Sequence, residues 1–301
     1  MKKNNFPKIS IIILNWNGFE KTIDCLESLK KNIYPNYEVI VVDNGSEGND
    51  VDILKKRYKD YIKLIENKKN LGFAEGNNVA IKHILKKKES SYLVLLNNDT
   101  VVTPDFLKEG LKIFQKDSKI GICGPKIKYY NTNKIWWAGS KLYKGREILF
   151  KSSFRIGKHI GKRKDDEGQY DEIKSTDYVT GCALFIKREV IKKIGLLDKK
   201  FFLYGEDIDW NIKAKLAGYK LIYFPTGVIY HAIPLNDKSN KKISYLFFKS
   251  RHYFKGILLN LWRYYSVYEI IFWFINLLFI PWIRMFIRMF NLYKNKKCEI
   301  N

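Results

Sequence analysis

The sequence predicts an α/β fold with a mainly parallel central sheet flanked by helices, followed by an amphipathic helical tail. Three observations point there. Short β-branched apolar runs alternate with helical stretches as far as about Gly121, and strand–helix repetition of this kind builds a parallel sheet covered on both faces. The first run, residues 9–14, is mostly apolar and β-branched, as a strand buried on both faces is. Each run also ends in a loop rich in Asn, Asp or Gly, and ligands of open α/β sheets sit beyond the carboxyl ends of the strands.

Residues 9–14 are the first run and close on Asn15-Trp16-Asn17-Gly18. Helical spacing at Ile23, Leu26 and Leu29 places a helix over about 19–31. A second strand, 37–42, ends on Asp43-Asn44-Gly45-Ser46, a helix covers about 50–59, and a strand over 62–65 leads into the loop beginning Asn70-Leu71-Gly72. A helix then runs to about Lys88, and the strand 92–96 ends on Asn97-Asn98-Asp99. Pro104 opens the next helix at a position that suits its missing N–H. The alternation then fails. Residues 126–177 hold short strand-like pieces at 126–130 and 136–142, and the charged stretch 162–167 reads as a mobile loop. A strand over 178–186 is interrupted by Thr180-Gly181, where a glycine marks a bulge or the close approach of a ligand. A short helix at 189–194, a helix beginning at Glu206, and strands at 221–224 and 228–230 complete the globular part, with His231 at the last strand's end.

Composition narrows the classes of function. The 301 residues hold 46% hydrophobic and 15% aromatic residues, which excludes a largely disordered chain. A net charge of +24 suits an anionic partner, but most of the excess is lysine scattered over surface-like helical positions. No zinc-finger spacing, RNP-like strand pair or helix-turn-helix pattern is present, so nucleic acid is not expected as a partner. Neither G-x-G-x-x-G after the first strand nor G-x-x-x-x-G-K-[ST] occurs. The cysteines Cys25, Cys123, Cys182 and Cys298 are far apart without a CxxC pair, which suits buried thiols in a reducing compartment. The apolar run at 9–14 is too short for the core of a signal peptide.

Two constellations could carry chemistry. The loop Phe201-Phe202-Leu203-Tyr204-Gly205 leads into Glu206 and Asp207, and Ile208, Ile212 and Leu216 repeat every four residues as the buried side of a helix would. Acids in a first helical turn suit the macrodipole and its free donors; equally, a carboxylate there could take a proton from an incoming hydroxyl. Asp99 and His231 both end strands. With phosphate oxygens they would make a coordination set for Mn2+ or Mg2+, while His231 alone reads as a core histidine bonded to backbone.

Read together, Asn15-Trp16-Asn17-Gly18, Val42-Asp43-Asn44-Gly45-Ser46, the Asn70 to Asn78 loop, Leu95-Leu96-Asn97-Asn98-Asp99, Asp177 to Ala183, Phe201 to Asp209 and Val228-Ile229-Tyr230-His231 resemble, in order, the motifs of the family 2 inverting glycosyltransferases. The rhamnosyltransferase-like branch is the nearest, and the resemblance covers roughly residues 8–255. It implies a GT-A fold with a Rossmann-like sheet, a nucleotide-diphosphate sugar donor, a divalent cation, Mn2+ or Mg2+, and a glycan or lipid-linked acceptor. Asp43 and Asn15 would then lie at the nucleoside, Asn70 and Asn77 near ribose and diphosphate, and Asn97-Asn98-Asp99 in place of a DxD motif, with Asp99 and His231 on the metal. Asp207 would be the general base and Glu206 an acceptor contact, while Asp209 pairs with Lys213. Arg251 either reaches the diphosphate or anchors the tail. On this basis residues 1–125 form the nucleotide-sugar half, 126–240 the acceptor and catalytic half, and 241–301 a helical, membrane-associating tail.

In that tail the longest uncharged run is 14 residues, 270–283. As a helix it would be ~21 Å long, short of the ~30 Å hydrocarbon core. With spaced arginines and tryptophans it reads as a helix lying on an anionic membrane surface, or as one packed on the catalytic domain or in a homodimer. The expected location is cytoplasmic, on the inner face of the cell membrane. Two rival readings are a sugar-nucleotide nucleotidyltransferase, which needs a Gly-rich, Arg-containing loop that Asn15 to Lys21 lacks, and a non-catalytic basic binding module.

Overall fold

The computed structural model describes residues 6–151, 155–233 and 243–278, with no side-chain description at 149–151. The chain divides into two compact units, one formed by residues 1–141 with 159–256 and the other by 142–158 with 257–301.

The first unit opens as its pattern predicts: β1 (Ile9–Asn15), α1 (Phe19–Lys30), β2 (Tyr37–Asp43), α2 (Asp50–Tyr58), β3 (Ile62–Glu66), α3 (Gly72–Lys87) and β4 (Tyr92–Asn97). Next come β5 (Thr100–Val102), α4 (Phe106–Lys116), β6 (Ile120–Tyr129), β7 (Ile135–Trp137) and β8 (Ser140–Leu142). After α5 (Arg146–Lys151) and β9 (Gly157–His159) follow β10 (Lys174–Ser175), β11 (Ala183–Lys187), α6 (Arg188–Ile194), α7 (Glu206–Leu216) and β12 (Lys220–His231). Two helices, α8 (Ile243–Tyr264) and α9 (Val267–Leu278), lie in the tail. The sheet runs β10-β12-β6-β11-β4-β1-β2-β3. Strands β3, β2, β1 and β4 are mutually parallel, β11 is antiparallel to both β4 and β6, and β6 and β12 are parallel again.

The apolar runs are the centre of the core. Ile11, Ile12 and Ile13 of β1, Val41 and Val42 of β2, and Leu93 and Val94 of β4 are fully buried, which requires cover on both faces of the sheet. Helix α4 supplies part of it with Phe106, Leu107, Ile113 and Phe114. The thiols of Cys25, Cys123 and Cys182 are buried here as well, as their surroundings in sequence suggest; Cys298 lies outside the described residues.

The second half departs from the sequence pattern in four places. The strands expected at 221–224 and 228–230 are one long strand, β12, with a register shift against β6 between Phe224 and Ile229. Pro225 and Gly227 interrupt the apolar pattern without ending the strand. The strand expected over 178–186 begins only at Ala183. Before it, the backbone of Val179 is held by a side chain instead of a strand, its N–H donating to Asn211 Oδ1 at 3.0 Å and its carbonyl accepting from Asn211 Nδ2 at 2.9 Å. The charged stretch 162–167 is tied down: buried Lys126 donates to Asp166 at 2.9 Å and pairs with Asp171, and Lys134 pairs with Asp165 at 2.8 Å. Finally, the buried face of α7 is not the Ile208–Ile212–Leu216 stripe. Leu216 is 75% exposed, whereas Trp210, Asn211 and Ala214 are fully buried. The indole takes the core position and donates to the Gly195 carbonyl at 2.9 Å.

Candidate active site

Strand order brings the polar loops to one edge of the sheet. Asn15 and Asp43 are neighbours in register at the ends of β1 and β2. Asn15 is fully buried. Its amide reaches Asp43 Oδ1 at 2.9 Å, Asp50 Oδ2 at 3.0 Å and Ser46 Oγ at 3.2 Å, and its own Oδ1 accepts from the Thr22 hydroxyl at 2.7 Å. Asp43 in turn accepts from the Ser46 hydroxyl at 2.6 Å and the Ser46 N–H at 3.0 Å. One amide thus ties two buried carboxylates together and supplies the hydrogen bonds that solvent cannot.

A second hub is Asn44, to which the sequence assigns no role beyond its place in a loop motif. Its Oδ1 accepts from Asn67 Nδ2 at 3.0 Å and the Leu71 N–H at 3.2 Å, and its Nδ2 donates to Asn70 Oδ1 at 3.0 Å and the Gly72 carbonyl at 3.2 Å. Asn70 Oδ1 also accepts from the Gly72 N–H at 2.8 Å, so this side chain shapes the loop that starts α3. Asn77 is buried one turn into α3, donating to the Phe73 carbonyl at 2.8 Å. The signal for Asn44 was its place in Asp43-Asn44-Gly45-Ser46; what hid it is that its partners lie on another loop.

From Thr22 the bonding continues to the end of β4, where Asn98 Nδ2 donates to Thr22 Oγ1 at 3.0 Å. Asn97 is half-buried, and its N–H donates to the Cys182 carbonyl at 2.9 Å. The next residue, Asp99, meets His231 across sequence because β5 pairs antiparallel with the end of β12, setting Thr100 opposite His231. Asp99 Oδ1 and His231 Nε2 are 3.0 Å apart. Burial works to raise the Asp99 pKa, but the hydrogen bond and charge of His231, with Lys21, outweigh it and hold the carboxyl below its ordinary value. His231 Nδ1 is buried without a hydrogen-bond partner, and the ring packs edge-on against Trp136 at 4.6 Å. Trp136 also meets His159 at 4.8 Å. Among the described residues no group of three or more His, Cys, Asp and Glu gathers as a self-sufficient metal cage. A carboxylate oxygen and an imidazole nitrogen that converge, with one ring nitrogen still unpartnered, nevertheless form a donor pair that suits a cation whose other ligands come from substrate phosphates.

The acid pair lies on the other side of the β4 end. Tyr204 and Gly205 take successive left-handed conformations, φ +70° and +93°, which turn the chain sharply into α7. Glycine meets that demand at 205, but at Tyr204 it is met by a bulky residue and therefore enforced by surroundings. Asp207 Oδ2 accepts from the Gly181 N–H at 3.0 Å, and its Oδ1 accepts from the Ile208 N–H at 2.9 Å. Gly181 precedes Cys182, the partner of Asn97, so Asp207 stands at the same sheet edge as Asp99. Burial raises the Asp207 pKa, and the backbone N–H groups offset it only in part. Glu206 is buried, its Oε2 has no hydrogen-bond partner, and burial together with the neighbouring Asp207 charge pushes its carboxyl well above its ordinary value. Like charges this close disfavour double ionisation, and the shift is the larger at Glu206, whose carboxyl has no backbone donor comparable to the two N–H groups on Asp207. Asp209 is fully buried and pairs with Lys213 at 2.7 Å, as its spacing predicts. Arg251 is exposed on α8.

Comparison with known proteins agrees with this fold. The solved mannosyltransferase PcManGT from Pyrobaculum calidifontis, in complex with GDP-Man and Mn2+, shares the fold with a TM-score of 0.59 at 17% identity, over 93% of this chain and 73% of its own. GalNAc-T7, solved with UDP, GalNAc and Mn2+, superposes with a TM-score of 0.61 at 17% identity, over 79% of this chain and 46% of that one. The architecture is therefore GT-A. In sequence, the low-salt glycan biosynthesis hexosyltransferase Agl10 of Haloferax volcanii is 28% identical over 69% of this chain and 61% of its own length. The chain spans less than two thirds of the length of the curated relatives it matches. The sequence model of glycosyl transferase family 2 matches residues 10–195, a stretch that contains the Asn15, Asp43, Asn70 and Asn97 to Asp99 loops and the Gly181 that holds Asp207. The chain belongs to glycosyl transferase family 2.

Proposed function

We propose that this protein is an inverting hexosyltransferase, dependent on Mn2+ or Mg2+, that moves rhamnose or another hexose from a nucleotide-diphosphate donor to a hydroxyl of a glycan or lipid-linked acceptor in surface polysaccharide or glycolipid synthesis. The observation that carries it is the asymmetric acid pair: Asp207 oriented by two backbone N–H groups, with the buried Glu206 beside it, its Oε2 without a hydrogen-bond partner. One oriented carboxylate is what an inverting displacement needs. Asp207 accepts the proton of the acceptor hydroxyl, whose oxygen attacks the anomeric carbon from the face opposite the leaving nucleoside diphosphate. Both Asp207 oxygens keep a lone pair beyond the backbone bond each accepts, so the base is held without being blocked. Glu206, whose environment favours the protonated form, can donate a hydrogen bond to an acceptor oxygen.

Asp99 and His231 would hold the cation, which when bound neutralises charge developing on the diphosphate. Asn15 and Asp43 set the nucleoside end through the loop they brace, Asn70 and Asn77 shape the ribose and diphosphate side, and Asn97 and Asn98 edge the cation position. Arg251 adds positive charge on α8. The exposed apolar residues at the end of α8 and on α9, among them Trp262 and Ile271, support seating on an anionic lipid surface on the cytoplasmic side; no helix among the described residues is long and apolar enough to cross a membrane. A homodimer through the same residues is the alternative.

The test is a screen of UDP, GDP and dTDP sugars for Mn2+-dependent thermal stabilisation, followed by transfer assays. Asp207→Asn is expected to lower transfer at least a thousandfold while keeping donor binding, and Asp99→Ala to weaken both. No stabilisation by any donor, or near-normal transfer by Asp207→Asn, overturns the assignment.

A further inference from the structure

The loop that delivers Asp207 is gripped from both sides. On one side the Phe202 carbonyl accepts from the Phe73 N–H at 2.6 Å, at the first turn of α3. On the other lies the first half of α8, within the same compact unit. There His252 stacks on the Phe202 ring at 4.7 Å and 28°, and Phe248 meets Phe202 edge-on at 5.7 Å. One stripe further round, Tyr253 packs on Tyr204 at 5.9 Å and Lys249 Nζ lies 5.9 Å over the same ring. Phe248, His252 and Gly256 fall at every fourth position and so share one face of the helix. At Gly256 the helix backbone comes so close that a Cβ would overlap the Tyr204 carbonyl oxygen.

We infer that His252 and Gly256 of α8 are positioning residues for the acid pair. They hold Tyr204 and Gly205 in the left-handed turn from which α7 starts, and so fix where the Asp207 carboxylate stands against Gly181. Nothing in the 202–205 segment favours that turn at Tyr204, because a β-carbon disfavours φ of +70°; the clamp supplies what the local chain does not. Helix α8 is therefore part of the machinery although it follows the catalytic loop by some forty residues. This rests on Asp207 being the base, and the experiment separates the two claims.

His252→Ala removes the stacked ring, His252→Phe keeps a flat ring on Phe202, and Gly256→Ala drives a methyl into the Tyr204 carbonyl. In the full chain, His252→Ala and Gly256→Ala are expected to lower kcat at least tenfold with donor KM within twofold, and His252→Phe to recover most of the loss. In parallel, hydrogen exchange of the 203–207 amides should quicken in the first two proteins and stay slow in the third, with or without activity. If His252→Ala fails to fold, His252→Leu, which fills the volume without a flat ring, takes its place. Wild-type kcat and exchange in the Ala variants, or equal loss in Ala and Phe, overturns the inference. If the unaltered enzyme transfers no sugar, the functional proposal falls and hydrogen exchange alone decides the clamp.

Discussion

At Asp207, burial and two backbone N–H groups pull in opposite directions, and burial prevails. A base works ionised, so a raised pKa moves the acid limb of kcat/KM upward; its midpoint is expected above the ~4 of an ordinary aspartate. Glu206 adds a second consequence. Burial and the neighbouring Asp207 push its carboxyl toward the neutral form, so the folded state resists an ionisation that the unfolded chain permits. Stability is therefore lost as pH rises above the ordinary glutamate range of ~4.3. Glu206→Gln imitates the neutral form. The gap in Tm between variant and wild type is expected to widen in the variant's favour from pH 5 to pH 8, by about 2 °C for each ~1 kcal/mol, and parallel curves would show Glu206 to be charged. Sequence locates both acids in a first helical turn and the family resemblance divides their roles, but neither shows how Asp207 is oriented. That depends on Gly181, which is 26 residues away and meets Asp207 only in the fold. Asn15 was legible in the same limited way: its strand-end position could be read, its hold on Asp43 and Asp50 could not.

Among the elements, the four-strand parallel segment was readable because β1, β2 and β4 carry buried apolar runs and each strand leads into a polar loop. Helix α7 was misread because its two isoleucines and a leucine recur at a helical interval while a tryptophan competes for the core. Size decides that competition: Trp210 buries more area than any of the three and satisfies its N–H on Gly195. Accordingly, Trp210→Ala is expected to cost ~3–5 kcal/mol, and Leu216→Ser to stay within ~0.5 kcal/mol of wild type, as read from urea midpoints. Equal costs would restore the amphipathic stripe. The three-residue strand β5 was invisible for another reason: Thr100-Val101-Val102 is too short to show a period, yet it places Asp99 beside His231.

At the scale of the whole molecule, charge and composition excluded classes but selected none; the ordered motifs did, since they report which loops share an edge. The division into two compact units was not legible, because the segment 142–158 belongs with residues from 257 onward, a grouping that skips the whole of 159–256. The sheet that positions the loops also encloses three thiols. Burial raises the Cys25 pKa to about 12 and those of Cys123 and Cys182 well beyond their ordinary value. Thiol reagents attack the thiolate, so these groups react only when the sheet opens. In a Cys298→Ser protein at pH 8 the three should be alkylated together, at the rate of global opening, and saturating donor at 100 times its Kd should slow the reaction about a hundredfold. Labelling within minutes, as for an exposed cysteine, would show that the sheet opens locally. The core that holds the crevice in shape thus doubles as a stopwatch for its own integrity, read by mass spectrometry without any knowledge of the sugar.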